Sequence, residues 1–110
     1  MTLRFSDAAA IELQLASDHY EGRQAGLGDQ FIDAVAETAR QISEWPMAGR
    51  PFDEIARGRI VRRFPYWLVY EQRGSGVVVT AVAHNSRGDD YRRSRWDVRE
   101  ARRDYRAEAA

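Results

Sequence analysis

Cysteine is absent from the 110 residues, which removes disulfides, thiolate catalysis and cysteine-type zinc sites together. Lysine is absent as well, and all 17 basic side chains are arginine. Arginine clamps phosphates and carboxylates through its planar fork, but it stays charged and cannot serve as a base. No apolar run nears the roughly 18 residues that a membrane-spanning helix needs, and "MTLRFSDAAA" lacks a signal peptide's apolar centre. A cytoplasmic protein with no membrane partner is therefore expected. The two histidines, His19 and His84, fall in different elements, and no closely spaced carboxylate–histidine set accompanies them. No metal and no cofactor are expected. "GLG" and "GSG" are too short and wrongly placed for a phosphate-binding loop, and there is no Gly-x-Ser-x-Gly elbow.

What is present suits one globular domain with a single core. The formal charge sums to zero, but it is unevenly spread. Residues 1–56 hold four arginines against ten acids, and residues 57–110 hold thirteen against seven. The C-terminal half thus supplies a basic surface, open to RNA, DNA or an acidic protein partner.

Periodicity predicts the order β-α-α-β-β-β, an α+β fold with a helical hairpin on a small, mainly antiparallel sheet. "TLRF" reads as a first strand, after which Ser6 or Asp7 caps a helix. Its apolar face is Ala9, Leu13, Ala16 and Tyr20, widened by Ile11 and Leu15. "GRQAGLG" breaks that helix and Asp29 is expected to cap the next, whose stripe is Phe31, Val35, Thr38, Ile42 and Trp45. Pro46, Gly49 and Pro51 end it. "GRIVRRF", "YWLVYEQ" and "GVVVTAVAH" read as an antiparallel meander, its last hairpin turning on "RGSG". A domain of residues 1–95 is followed by an arginine-rich tail, 96–110, helical or flexible.

Two stretches invite a functional reading. Arg57, Arg59, Arg62 and Arg63 crowd one strand, and alternation places Arg59 and Arg63 on one face and Arg62 on the other. At a partly buried edge they would pair with a carboxylate or bind phosphate, whereas on a solvated strand they only guard against edge pairing. "AVAHNSRGDDYRRSR" holds parts for metal-free phosphodiester cleavage: His84 as base or acid, Arg87 as cation and Tyr91 as phenol. A histidine that ends a strand is more often an ordinary hydrogen-bonded structural residue. "FPYWLVYE" could stack bases, but its bulky residues on both faces are more simply explained by core packing.

Taken in order, three features resemble the RelE/ParE superfamily of bacterial toxins. They are Tyr20-Glu21 with glycines after it; Arg59 followed by Phe64-Pro65-Tyr66 and Leu68-Val69-Tyr70; and Ala81-Val82-Ala83-His84 with Arg87, Tyr91 and Arg95. The resemblance runs from about Leu3 to Arg95. It implies a type II toxin, a cognate antitoxin partner, and operator DNA reached only through that antitoxin. The RelE-like branch cuts mRNA on the ribosome, and that activity would use Arg59, Arg87 and Tyr91, with His84 a weaker candidate. The ParE-like branch poisons DNA gyrase. The long hairpin and "FPYWLVYE" place this chain nearer the ParE-like side. Tyr91-Arg92 stands where a Tyr-Trp pair is common, which argues against the nuclease. The expected contact surface for target or antitoxin is Arg57, Arg59, Arg62, Arg63, Arg87 and Arg95. A non-toxic interaction module is the third reading.

Overall fold

The computed structural model describes residues 2–85. The elements are β1 (Thr2–Phe5), α1 (Asp7–Arg23), α2 (Leu27–Glu44), a single 3₁₀ turn (Pro46–Ala48), β2 (Arg50–Pro51), β3 (Ala56–Ile60), β4 (Tyr66–Arg73) and β5 (Gly76–His84). They form one five-stranded sheet in the order β1-β5-β4-β3-β2. The meander β3-β4-β5 is antiparallel, and β1 joins β5 in parallel. The fold is α+β with a helical hairpin on a mainly antiparallel sheet, as the periodicity implies. Residues 86–110, which include Arg87, Tyr91, Arg95 and the whole tail, lie outside the described residues.

The core fills the space between hairpin and sheet. Phe31, Val35 and Ile42 of α2 meet Leu68 and Tyr70 of β4 and Val77, Val79 and Val82 of β5. From α1 Ala9, Ala16 and Ser17 are buried, with Leu13 and Tyr20 partly so. Ile11 and Leu15 do not widen this face; they are 61% and 64% exposed. The reason is angular: at about 100° per residue, each sits about 200° from the inward residue two positions away. Trp45 also departs from its expected stripe and is 64% exposed. It follows the last helical residue with φ −133° and ψ 63°, so the helical spacing no longer governs where it points.

Ser6 caps α1 as expected, its hydroxyl accepting from the Ala9 amide at 3.1 Å. Asp29 does not cap α2. The helix starts at Leu27 behind Gly26, whose φ of 89° favours a residue without Cβ. The cap comes from the neighbouring helix: the amides of Gly26 and Gly28 both donate to the Glu21 carboxylate at 3.0 Å. One side chain thereby neutralises the positive end of α2 and closes the hairpin link.

Two strand readings also change. The "GRIVRRF" strand ends early, at Ile60, because the chain turns there: the Val61 amide donates to the Tyr66 carbonyl at 2.8 Å and Arg63 takes φ 71°. The alternation argument thus stops before Arg62 and Arg63. The Arg50–Pro51 pair, read as a helix stop, also forms a short edge strand on β3. By contrast "RGSG" turns as expected, Gly74 carrying φ 58°. On the sheet's second face Ala56, Val69 and Ala81 cluster with Phe52 and Trp67, so both faces of "FPYWLVYE" are packed.

β1 pairs with β5 only as far as Val79. Beyond it, the Val82 amide finds no strand on that side and donates instead to Glu12 of α1 at 3.0 Å. This bond ties the outer helix to the sheet edge, and α1 packs more heavily on β5 than on any other strand.

The Glu21 clasp and the Asp29 position separate in one experiment. Glu21→Ala is expected to lower the unfolding free energy by about 1 kcal/mol, the usual worth of an N-terminal cap. Asp29→Ala loses only a charge–dipole contribution of roughly 0.3 kcal/mol. Urea titrations of both variants check this; equal losses would remove the clasp from the account.

Candidate functional site

The arginines predicted to form a contact surface divide by exposure. Arg57 and Arg59, two apart on β3, point to the helix-covered face and are half-buried. Arg57 donates to the Gly49 carbonyl at 2.9 Å, and Arg59 Nε donates to Gln41 Oε1 of α2 at 3.0 Å. Neither takes part in an ion pair among the described residues. Arg50, Arg62 and Arg63 are exposed, the first on β2 and the others in the turn after β3. The five guanidinium groups therefore run along the β2–β3 edge and its turn.

Tyr70 anchors this edge from below. It is 1% exposed, and its hydroxyl donates to the Pro46 carbonyl at 2.7 Å. Burial pushes its phenol above the ordinary value, against the pull of a backbone bond at Gly49 and the charges of Arg57 and Arg59. Gly49 must lack a side chain here, since a Cβ would collide with the Tyr70 hydroxyl. The segment from Pro46 to Gly49 is thus held against β4 by one ring.

His84 sits elsewhere on the same sheet. Its ring meets Tyr66 edge-on at 5.0 Å, opposite it on β4. With Glu12, Leu15 and His19 it lines a recess of about 200 Å³ between α1 and the β5 edge. Both histidines therefore face one recess, which their separation in sequence hid. Among the described residues no group of histidines and carboxylates is arranged to hold a metal. By sheet spacing the Cα atoms of Arg59 and His84 lie roughly 12 Å apart, two strands over and two residues along. Arg87, Tyr91 and Arg95 lie outside the described residues.

A further surface was invisible to motif reasoning. Met47 and Ile55, 63% and 42% exposed, flank a groove next to Arg57. The sequence signal was the run Trp45-Pro46-Met47 after Glu44, of which Trp45 was assigned to the helical stripe and Pro46 to the helix stop.

Among the described residues no helix is long and apolar enough to cross a membrane. Residues 3–89 match the family model described as the ParE toxin of the type II toxin–antitoxin system parDE. No curated protein matches the chain significantly. In three dimensions it is similar to a chain of the chromosomal ParDE TA system from P. aeruginosa, with a TM-score of 0.58 and 21% identity. The similarity covers 76% of this chain and 95% of that one. At this identity the likeness speaks for the fold.

Two measurements probe the arginine edge. Because Tyr70 titrates higher when folded, its contribution is whole below about pH 10 and is lost as pH rises through the folded value. Tyr20, also raised, mainly by burial, acts in the same sense. Tyr70→Phe is therefore expected to cost about 1 kcal/mol at neutral pH, by losing the Pro46 bond. It should also show a smaller alkaline loss than the unmodified protein, read from urea midpoints on either side of about pH 10. Arg63→Gly relieves a left-handed backbone and is expected to stabilise by about 1 kcal/mol, while deleting one of the five charges. A thermal melt that drops instead would show that the Arg63 side chain holds the turn.

Proposed function

Because the chain belongs to the ParE toxin family of type II toxin–antitoxin systems, we propose that it acts as the growth-inhibiting half of such a pair. It binds an essential cytoplasmic target, with DNA gyrase the leading one, and a cognate antitoxin neutralises it. The observation that carries this reading is the match over residues 3–89. Operator DNA is contacted only through the antitoxin, and residues 1–95 form the toxin domain ahead of the tail.

The arginine edge supports a binding rather than a cutting role. Arg57 and Arg59 are seated by a backbone carbonyl and by Gln41, so their planar forks are preorganised for an acidic or phosphate-bearing surface. Arg59 and His84, the two described members of the nuclease candidates, are engaged by different partners, Gln41 of α2 and the Tyr66 ring.

Induced expression of the full chain is expected to arrest bacterial growth, and the purified protein to inhibit supercoiling by gyrase. Cleavage of mRNA during in vitro translation would replace this reading with the ribosome-dependent nuclease, acting through Arg59, Arg87 and Tyr91. Healthy growth of cells that make folded protein would leave only an interaction module. Arg59→Ala and Arg87→Ala are each expected to weaken toxicity, with the melting temperature followed in parallel. Full toxicity in both folded variants would count against a role for this basic surface and remove Arg59 and Arg87 from it.

A further inference from the structure

The described residues expose six large apolar side chains; Ile60 stands alone at the end of β3, and the other five fall at the two edges of the sheet. Ile11 and Leu15 lie on α1, at the edge of the sheet that carries β1. Trp45, Met47 and Ile55 gather at the other edge, where α2 ends and β2 begins. There Pro46, Met47 and Ile55 wall a groove of about 300 Å³, with Arg57, Tyr70 and Gln72 along it and Glu54 at its rim. Its volume is at the bottom of the range for small-molecule sites and suits one bulky side chain with its flanking backbone.

The groove is preformed. Tyr70 holds the Pro46 carbonyl, Gly49 lies against the Tyr70 hydroxyl, and Arg57 is seated on the Gly49 carbonyl. On the opposite wall Asp53 Oδ1 accepts from the amides of Ile55 and Ala56, both at 2.7 Å, which fixes the loop that carries Ile55. Little ordering remains to be done on binding.

Its electrostatics select the occupant. Arg57 lines the groove, with Arg50 beside it on β2, Arg59 two residues along β3 and Arg62 and Arg63 farther on in the turn. Of the nearby acids Glu54 stands at the rim and the others are engaged. Asp53 is bound to backbone, and Glu44 pairs with Arg40 at 2.6 Å. The α1 recess has no such excess of cations, being lined by Glu12 and two histidines. We propose that the groove beside Arg57 seats an extended, acidic segment of a partner protein. One bulky apolar side chain lies between Met47 and Ile55, and a carboxylate meets Arg57. That the segment belongs to an antitoxin rests on the reading above; the groove and its preference do not.

The test uses the full chain and a fluorescein-labelled glutamate-rich peptide carrying one leucine, followed by anisotropy. Binding is expected, weakening as salt rises. Replacing the leucine by serine, or the glutamates by lysines, should cost at least about tenfold. Met47→Asp and Arg57→Gln should each weaken binding about tenfold, Glu54→Gln should strengthen it, and Leu15→Ser should change nothing. No binding, or equal binding by folded Met47→Asp and Arg57→Gln, would overturn the proposal. Two other occupants have their own signatures, and either overturns it too. A dimer in light scattering that Met47→Asp dissolves makes the groove a contact between copies. A thiol at Ile55→Cys, the chain's only one, that a soluble maleimide cannot reach in the free monomer means residues 86–110 fill the groove. Growth arrest with no peptide binding sinks the groove alone, and peptide binding without arrest sinks only the toxin reading.

Discussion

Four aromatic rings at the closed end of the hairpin hold the molecule together. Tyr20 of α1, Phe31 of α2, Phe64 of the β3–β4 turn and Tyr66 of β4 contact one another with centroids 5.0 to 6.1 Å apart. Most of these contacts are edge-to-face, the arrangement that ring quadrupoles favour, each adding roughly 0.5–1.5 kcal/mol beyond burial. Within the core these rings join both helices, the β3–β4 turn and the sheet. Placing Phe64 in it requires the chain to double back after Ile60, and Arg63 adopts a left-handed backbone to do so. That conformation costs about 1 kcal/mol for a residue with a Cβ. The same bend leaves Arg62 and Arg63 exposed at the end of the basic edge. Core packing and charge display are therefore two consequences of one turn.

The legible parts of the fold were those encoded by local periodicity. Phe31, Val35, Thr38 and Ile42 recur at helical spacing and are all buried. Valines at strand spacing did the same for β5. The parts that were missed depend on a partner remote in sequence. Glu21 caps a helix that starts six residues later, against the expectation that a helix is capped by its own flank. β2 is two residues long and contains a proline, so it has no pattern of its own. Ile11 and Leu15 satisfied an apolar count while pointing the wrong way.

The candidate site was half visible for the same reason. An excess of arginine from residue 57 on is a compositional fact, and four of those arginines, Arg57, Arg59, Arg62 and Arg63, stand on β3 and its turn. What composition cannot convey is how a guanidinium is seated. Arg57 is fixed by Gly49 and Arg59 by Gln41, eight and eighteen residues away. The groove beside them depends on Tyr70 reaching Pro46, a separation of 24 residues. No window of local sequence contains both walls.

The sheet order has a further consequence. β1 and the β2–β3 pair occupy opposite edges, so the apolar stripe of α1 and the arginine edge face away from each other. The two edges also differ in how their open backbone is guarded. At β5 the free amide beyond β1 is met by the Glu12 carboxylate, a contact that a competing strand would have to displace. At β3 the guard is a short strand carrying Pro51, with arginines on either side. An acidic segment would meet repulsion from a carboxylate at the first edge and attraction from fixed cations at the second. Arginines held by neutral acceptors keep their full charge for such an encounter. An edge in which they were already paired with carboxylates would have lost it.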